Sequence, residues 1–169
     1  MFQKISNVCD IINGFTPTKS NPLFWENGTI NWMTVDDINL QGKYISSTNK
    51  HITSKAIRNS NRIVPPQSTF ICCTSATIGK VCINIVPMCS NQQFNGLVIK
   101  SKKLLDNEYL YYYCFTLKSY LLRSAGITTF PFVSVNKLGN FIIPIPPINE
   151  QHLIVSKIQK LESLIKEYK

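Results

Sequence analysis

Hydrophobic positions along this chain follow two periods. Up to about residue 100 they fall in short runs, Ile30 to Val35, Arg62 to Val64, Thr69 to Thr74, Lys80 to Val86 and Leu97 to Lys100, separated by turn signals. Runs of this length, rich in β-branched residues, predict short β-strands. Asn13-Gly14, Asn27-Gly28 and Gln41-Gly42-Lys43 mark turns between them, and Pro65-Pro66 blocks helix entry while permitting a bend. A helical period shows at Thr53 to Asn59 and, over a longer span, at Asp106 to Ser124. There Leu110, Tyr113, Leu117, Leu121 and Leu122 recur behind Asp106-Asn107 as a cap. After Pro144-Ile145-Pro146-Pro147 the chain runs to its last residue without Gly or Pro. Asn149 is placed to cap this final helix, and Glu150 puts negative charge at the positive end of its dipole. Within it Ile154, Ile158, Leu161, Ile165 and Tyr168 are spaced 4, 3, 4 and 3 apart. That spacing is a heptad seam, which seeks a partner helix; a helix folded back on its own domain is the competing reading. The pattern predicts an α+β protein: a globular unit over 1–148 with a small mixed or antiparallel β-sheet and helices, then one long helix over 149–169 for coiled-coil pairing.

Composition sharpens this picture. With 169 residues, 44% of them hydrophobic, the chain can bury one sizeable core and carry an appendage. Of the +9 net charge most belongs to the globular unit, where 14 Lys and Arg face 6 Asp and Glu, against 4 and 3 from residue 149 on. Basic residues scattered through a folded domain fit a shaped surface that meets phosphate, which places nucleic acid first among partners. The six cysteines, Cys9, Cys72, Cys73, Cys82, Cys89 and Cys114, form no C-x-x-C pair, and His51 and His152 have no ligand-like spacing near them. No metal site is expected, and the cysteines read as small buried residues in a reducing cytoplasm, with Cys72 and Cys73 on opposite faces of a strand. No stretch approaches the ~20 apolar residues that span a bilayer, and the first ten residues lack a signal-peptide core, so a soluble cytoplasmic protein without a membrane partner is expected.

Candidate chemistry is thin. Asn21-Pro22-Leu23-Phe24 lacks the second proline of the Asn-Pro-Pro-aromatic motif of amino-methyltransferases, and no Gly-rich cofactor loop accompanies it. Pro87-Met88-Cys89 misses the Pro-Cys adjacency of cytosine methyltransferases, Asp36-Asp37 has no nuclease-like Glu-x-Lys downstream, and two histidines do not make a triad. No catalytic residue and no cofactor of its own are assigned to this chain.

Several segments, taken in order, resemble a target-recognition domain of a Type I restriction-modification specificity subunit. They are Gly14-Phe15-Thr16-Pro17, Trp25, Trp32 with Asp37-Ile38, Thr53 to Ser60, Ser75 to Lys80, Asn91-Gln92, Gly126 with Thr128 and Phe130, and Pro144 to Pro147 with Glu150-Gln151. The resemblance implies a domain that reads one part of an interrupted double-stranded DNA site. It implies a helical spacer that docks DNA methyltransferase subunits, which hold S-adenosylmethionine, and leaves open whether a restriction nuclease or translocase subunit joins. Specificity subunits of the family carry two domains and two spacers, whereas this chain has one of each. It therefore looks like half of one, either pairing with itself as a homodimer on an interrupted palindrome or a truncated remnant.

On that reading Lys19, Arg58, Arg62, Lys80, Arg123 and Lys137 are the candidates for phosphate, and Asn91, Gln92, Gln93, Thr128 and Ser134 for base edges. Amide side chains can pair bidentately with adenine, and arginine with guanine. Ser75 to Lys80 reads as a turn that presents Thr77 and Lys80 to DNA or as a hairpin connection whose Gly79 supplies a positive φ. Trp25 and Trp32 read as core. Ile154, Ile158, Leu161, Ile165 and Tyr168 are the candidates for dimerisation. A nucleic-acid binder without sequence preference and a coiled-coil adaptor that binds only protein are the alternatives.

Overall fold

The computed structural model describes residues 1–126 and 132–167. In chain order they form β1 (Phe2–Lys4), α1 (Ile5–Val8), β2 (Cys9–Asn13), β3 (Ile30–Met33), α2 (Val35–Gln41), β4 (Tyr44–Ile45), β5 (His51–Ile52), β6 (Ser68–Cys72), β7 (Val81–Asn84), β8 (Met88–Ser90) and β9 (Phe94–Ile99). Then follow α3 (Asn107–Thr116), α4 (Lys118–Ala125), α5 (Val135–Gly139), β10 (Ile142–Pro144) and α6 (Ile148–Glu167). The α+β class with a long C-terminal helix is as expected. Instead of one small sheet, however, the described residues form three, with strand orders β2-β9-β6-β7-β4, β5-β3-β8 and β1-β10. The largest is antiparallel except that β4 runs parallel to β7, and β3 runs parallel to β8.

Strands β6 and β7 are buried along their whole length, so both faces of the central sheet are covered. The two-residue period decides which side chain goes where. Ile71, Val81 and Ile83 point to a core shared with Leu110, Cys114 and Leu117 of the helical side. Phe70, Cys72 and Cys82 point the other way, toward Met33, Ile45 and Met88. Cys72 and Cys73 do fall in opposite cores, and all six cysteines are buried and unpaired. Burial pushes the Cys9 and Cys73 thiols up to about 12 and Cys89 to about 11, values at which they are inert at neutral pH.

Some expected elements differ for local reasons. The expected helix from Asp106 to Ser124 breaks at Leu117 into α3 and α4, while Asp106 caps it as read, its carboxylate accepting from the Tyr109 N–H at 2.9 Å. Thr53 to Asn59 holds a single 3-10 turn, Ser54–Ala56. Arg62 to Val64 is no strand: Val64 alone bridges to Met88, because Pro65-Pro66 has no N–H to continue a ladder. Gly79 has φ +84°, as the hairpin reading of Ser75 to Lys80 required.

Helix α6 departs most from expectation. It begins at Ile148, so Asn149 lies inside the first turn, and Pro147 supplies the carbonyl that accepts from Glu150 and Gln151. Gln151 is fully buried and spends its whole amide on the domain: Oε1 accepts from the Asp106 N–H at 2.9 Å, and Nε2 donates to the Leu104 and Pro146 carbonyls at 2.9 and 2.8 Å. Val155 is buried, Ile154 and Ile158 are half-buried, and Glu162 accepts from the Tyr112 hydroxyl at 2.8 Å. One stripe of α6 therefore docks on its own domain against α3. The seam is split: Leu161 and Ile165 remain exposed, joined by Leu153 and Leu164, and Tyr168 lies outside the described residues. Lys43 reinforces the docking, its ammonium lying over the rings of Tyr111 and Tyr112 at 4.7 and 4.4 Å and pairing with Glu108, to which Gln159 of α6 also donates. No helix of the described residues is long and apolar enough to cross a membrane.

Candidate nucleic-acid interface

Two segments distant in sequence meet at one surface. Antiparallel pairing of β2 with β9 carries the chain past Asn13 to the turn that joins β8 to β9. There the Gly14 N–H donates to the Phe94 carbonyl at 2.9 Å and the Phe15 N–H to the Ser90 carbonyl at 2.8 Å. The approach is so close that a β-carbon on Gly14 would stand 1.9 Å from the Asn91 carbonyl oxygen, a position only glycine can occupy. The next residue but one, Thr16, donates to the Gln92 side chain. Gly14-Phe15-Thr16-Pro17 and Asn91-Gln92 are thus one structural unit.

This unit forms one wall of a cleft of about 730 Å³ lined by Thr16, Lys19, Trp25, Trp32, Thr34, Val35, Asp36, Lys50, Thr74 and Asn91 to Gln93. Its floor is rigid for identifiable reasons. Trp32 is buried as expected and its indole donates to the Phe15 carbonyl at 2.8 Å. Trp25 meets it edge-on at 5.0 Å between ring centroids and donates to the Thr18 carbonyl at 3.1 Å. On the far wall Thr34 and Asp37 form a capping box at the start of α2, and the buried Asp37 carboxylate also accepts from the Asn49 N–H at 2.8 Å.

A second cleft of about 410 Å³ adjoins the first through Thr16 and is lined by Phe15 to Thr18, Phe24, Lys55, Ala56, Arg58, Asn59 and Arg62. Arg58 and Lys55 are exposed on its rim. Arg62 donates one guanidinium nitrogen to the Asn13 carbonyl at 2.8 Å and lies over the Phe15 ring at 5.9 Å, which anchors it while leaving it exposed. Lys19, Lys50, Lys55, Arg58 and Arg62 therefore line two joined clefts in which Asp36 is the one acidic residue among the described lining residues. An array of cations at that density attracts a polyanion, and the polar loop side chains between them can meet base edges.

The structure thus gathers Lys19, Arg58, Arg62, Asn91, Gln92 and Gln93 on one face. It does not bring Lys80, Arg123, Ser134 or Lys137 to the clefts. Lys80 is engaged with Asn39 of α2. Arg123 lies over the Tyr120 ring at 4.7 Å, and Lys137 ties α5 to α4 by donating to the Ser124 carbonyl at 3.0 Å. The Ser134 hydroxyl caps α5, accepting from the Lys137 N–H at 3.2 Å, so it acts as a structural cap. Thr128 lies outside the described residues. Lys50, Lys55 and Thr16 were not singled out from the sequence, although Lys55 and Thr16 lie within segments that carried the resemblance. Among the described residues no group of three or more His, Cys, Asp or Glu is placed to hold a metal ion.

Comparison with known proteins gives one answer at every level. The family model for the Type I restriction modification DNA specificity domain matches residues 1–169. The chain is 33% identical over 144 residues to the specificity subunit of the type I restriction enzyme EcoprrI of Escherichia coli, covering 84% of this chain and 35% of that protein. It is 31% identical over 170 residues to the specificity subunit of the enzyme MjaIX of Methanocaldococcus jannaschii, covering 99% and 39%. Among solved structures, the HsdS subunit from Thermoanaerobacter tengcongensis superposes with a TM-score of 0.74 at 22% identity, over 99% of this chain and 38% of that one. A chain from a structure of assembly and conformational transition in the type I R-M system gives 0.77 at 20% identity, over 99% and 39%. The likeness to these two structures is one of fold, and this chain spans well under half the length of the relatives it matches.

Proposed function

The chain belongs to the Type I restriction-modification DNA specificity family, and on that premise we propose that residues 1–148 read a half-site in double-stranded DNA through the two joined clefts. The observation that carries this reading is the meeting of Thr16 with Gln92 between Lys19 and Lys50 on one side and Lys55, Arg58 and Arg62 on the other. The cations hold phosphates and fix register; the amides of the β8–β9 turn, standing between them, meet the bases. The chain itself carries out no catalysis. Methyltransferase subunits, which bring S-adenosylmethionine, act on the DNA it selects, and a nuclease or translocase subunit is a further partner of the assembly.

Helix α6 is the spacer. Its first turns, through Gln151, Val155 and Ile158, fix the helix to the domain, and the exposed apolar residues farther along it, Leu161, Leu164 and Ile165, together with Leu153, are left for a second copy of the same unit. Two identical units related by a twofold axis read identical half-sites on opposite strands, which makes the target an interrupted palindrome. The test is selection from a randomised duplex pool with the purified chain and its co-expressed methyltransferase at moderate salt. Enrichment of an interrupted palindrome supports the whole reading. A single half-site overturns the paired assembly, and no enrichment overturns sequence reading in favour of binding without preference.

A further inference from the structure

Hydrogen bonding within the β8–β9 turn fixes the polarity of one of its amides. The Gln93 backbone N–H can only donate, and the Asn91 side-chain atom that it reaches at 3.0 Å is therefore the oxygen Oδ1. The other terminal atom of Asn91 is then Nδ2, and since this nitrogen can only donate, the Gln93 atom 2.9 Å from it is the acceptor Oε1. What remains of Gln93 is its Nε2, with two hydrogens and no partner among the described residues, on the wall of the larger cleft. Gln92 has no such constraint, because the Thr16 hydroxyl that meets it is able to donate or accept.

We propose that Gln93, locked by Asn91, is a specificity-determining residue that offers donors only and so selects guanine, whose N7 and O6 acceptors lie side by side on the major-groove edge. The inference rests on the reading that this face meets duplex DNA. It changes what the residue type alone implies. A glutamine that reads adenine uses one donor and one acceptor together, and Gln93 has already spent its acceptor on Asn91. Cytosine, which offers an amino donor and no acceptor in the major groove, is the base most strongly refused.

Two substitutions of different chemistry reverse the outward polarity while keeping the turn. In Gln93→Glu one carboxylate oxygen still accepts from Asn91 Nδ2, and the other faces the cleft as an acceptor. In Asn91→Asp one oxygen still accepts from the Gln93 N–H and the other now accepts from Gln93 Nε2, which turns Oε1 outward. Selection from a randomised duplex pool, run side by side on wild type and both variants, reads the outcome as base identity, independent of the general loss of affinity that an added negative charge causes. Thermal melting monitors the fold, and each variant serves as a test without the other. The expected result is a guanine position in the wild-type motif that becomes cytosine or adenine in both variants, a preference changed by about tenfold or more. A wild-type motif that both variants retain unchanged overturns this inference and leaves the DNA-reading function standing. The absence of any wild-type motif overturns both.

Discussion

Replacing Leu161 and Ile165 of α6 with lysine tests the pairing surface. The two side chains are 59% and 58% exposed and are not among the residues that pack against the core. Full burial of a leucine or isoleucine contributes about 1.5–3 kcal/mol, so covering the exposed part is worth roughly 1–1.5 kcal/mol for each. A symmetric interface counts each twice, which gives about 4–6 kcal/mol for the pair of positions and a loss of affinity of about a thousandfold or more. Leu153 and Leu164, 54% and 41% exposed, are further apolar positions that the same helix leaves open. All four together supply roughly 8–12 kcal/mol, against an association cost of about 4–15 kcal/mol. The surplus is at most about 8 kcal/mol, so a wild-type dimer should be concentration-dependent and micromolar at its tightest. Sedimentation velocity over a concentration series should show wild type moving from monomer to dimer and the double variant remaining monomeric, with the same melting temperature. A dimer that persists unchanged in the double variant would refute the reasoning and move the interface elsewhere.

Three further outcomes follow from the geometry. Gly14→Ala should lower stability by about 3 kcal/mol or more, since its β-carbon would stand 1.9 Å from the Asn91 carbonyl and 2.5 Å from Ser90 Oγ; a urea unfolding midpoint equal to wild type would contradict the close approach. Lys55→Ala and Arg58→Ala should each reduce the slope of log affinity against log salt by about 0.9, whereas Lys137→Ala should leave it unchanged, and a reversed ranking would move the DNA face. The thiols of Cys9 and Cys73, held at about 12 by burial against an ordinary value of 9.0, keep their protons in the folded state to higher pH than in the unfolded chain. Their stabilisation is complete below about pH 9 and is lost as pH rises toward 12, at about 1.4 kcal/mol per group per pH unit, so the urea midpoint should fall between pH 8 and 10.5. A flat midpoint over that range would contradict the burial.

Local chemistry made part of the molecule legible in advance. Asp106 announced the start of α3 because a carboxylate before an apolar period caps a helix, and Cys72 and Cys73 separated into two cores because a strand alternates its faces. The interface was legible only in fragments. Gly14 to Pro17 and Asn91-Gln92 each carried a signal, yet their meeting depends on the register of β2 against β9, which pairs Asn13 with Asn95 and which no local pattern encodes. The Lys43 site is hidden for the same reason, since its ammonium is held by Tyr111, Tyr112 and Glu108 of a helix far along the chain. In α6 the apolar spacing alone pointed to one seam. One residue that anchors the helix is polar: Gln151, buried with its amide fully bonded, holds the first turns so that Val155 enters the core, while Leu161 and Ile165, farther along the same seam, stay exposed. Ser134 illustrates the converse, a hydroxyl that fits a base-reading role by type but serves as a helix cap in the fold.

The claim that the joined clefts read sequence is tested most directly by competition binding at physiological salt between the selected duplex and a scrambled duplex of the same length and composition. The account predicts a preference of at least about a thousandfold for the selected duplex. Affinities within about threefold of each other would mean that the cations of this face hold DNA without reading it.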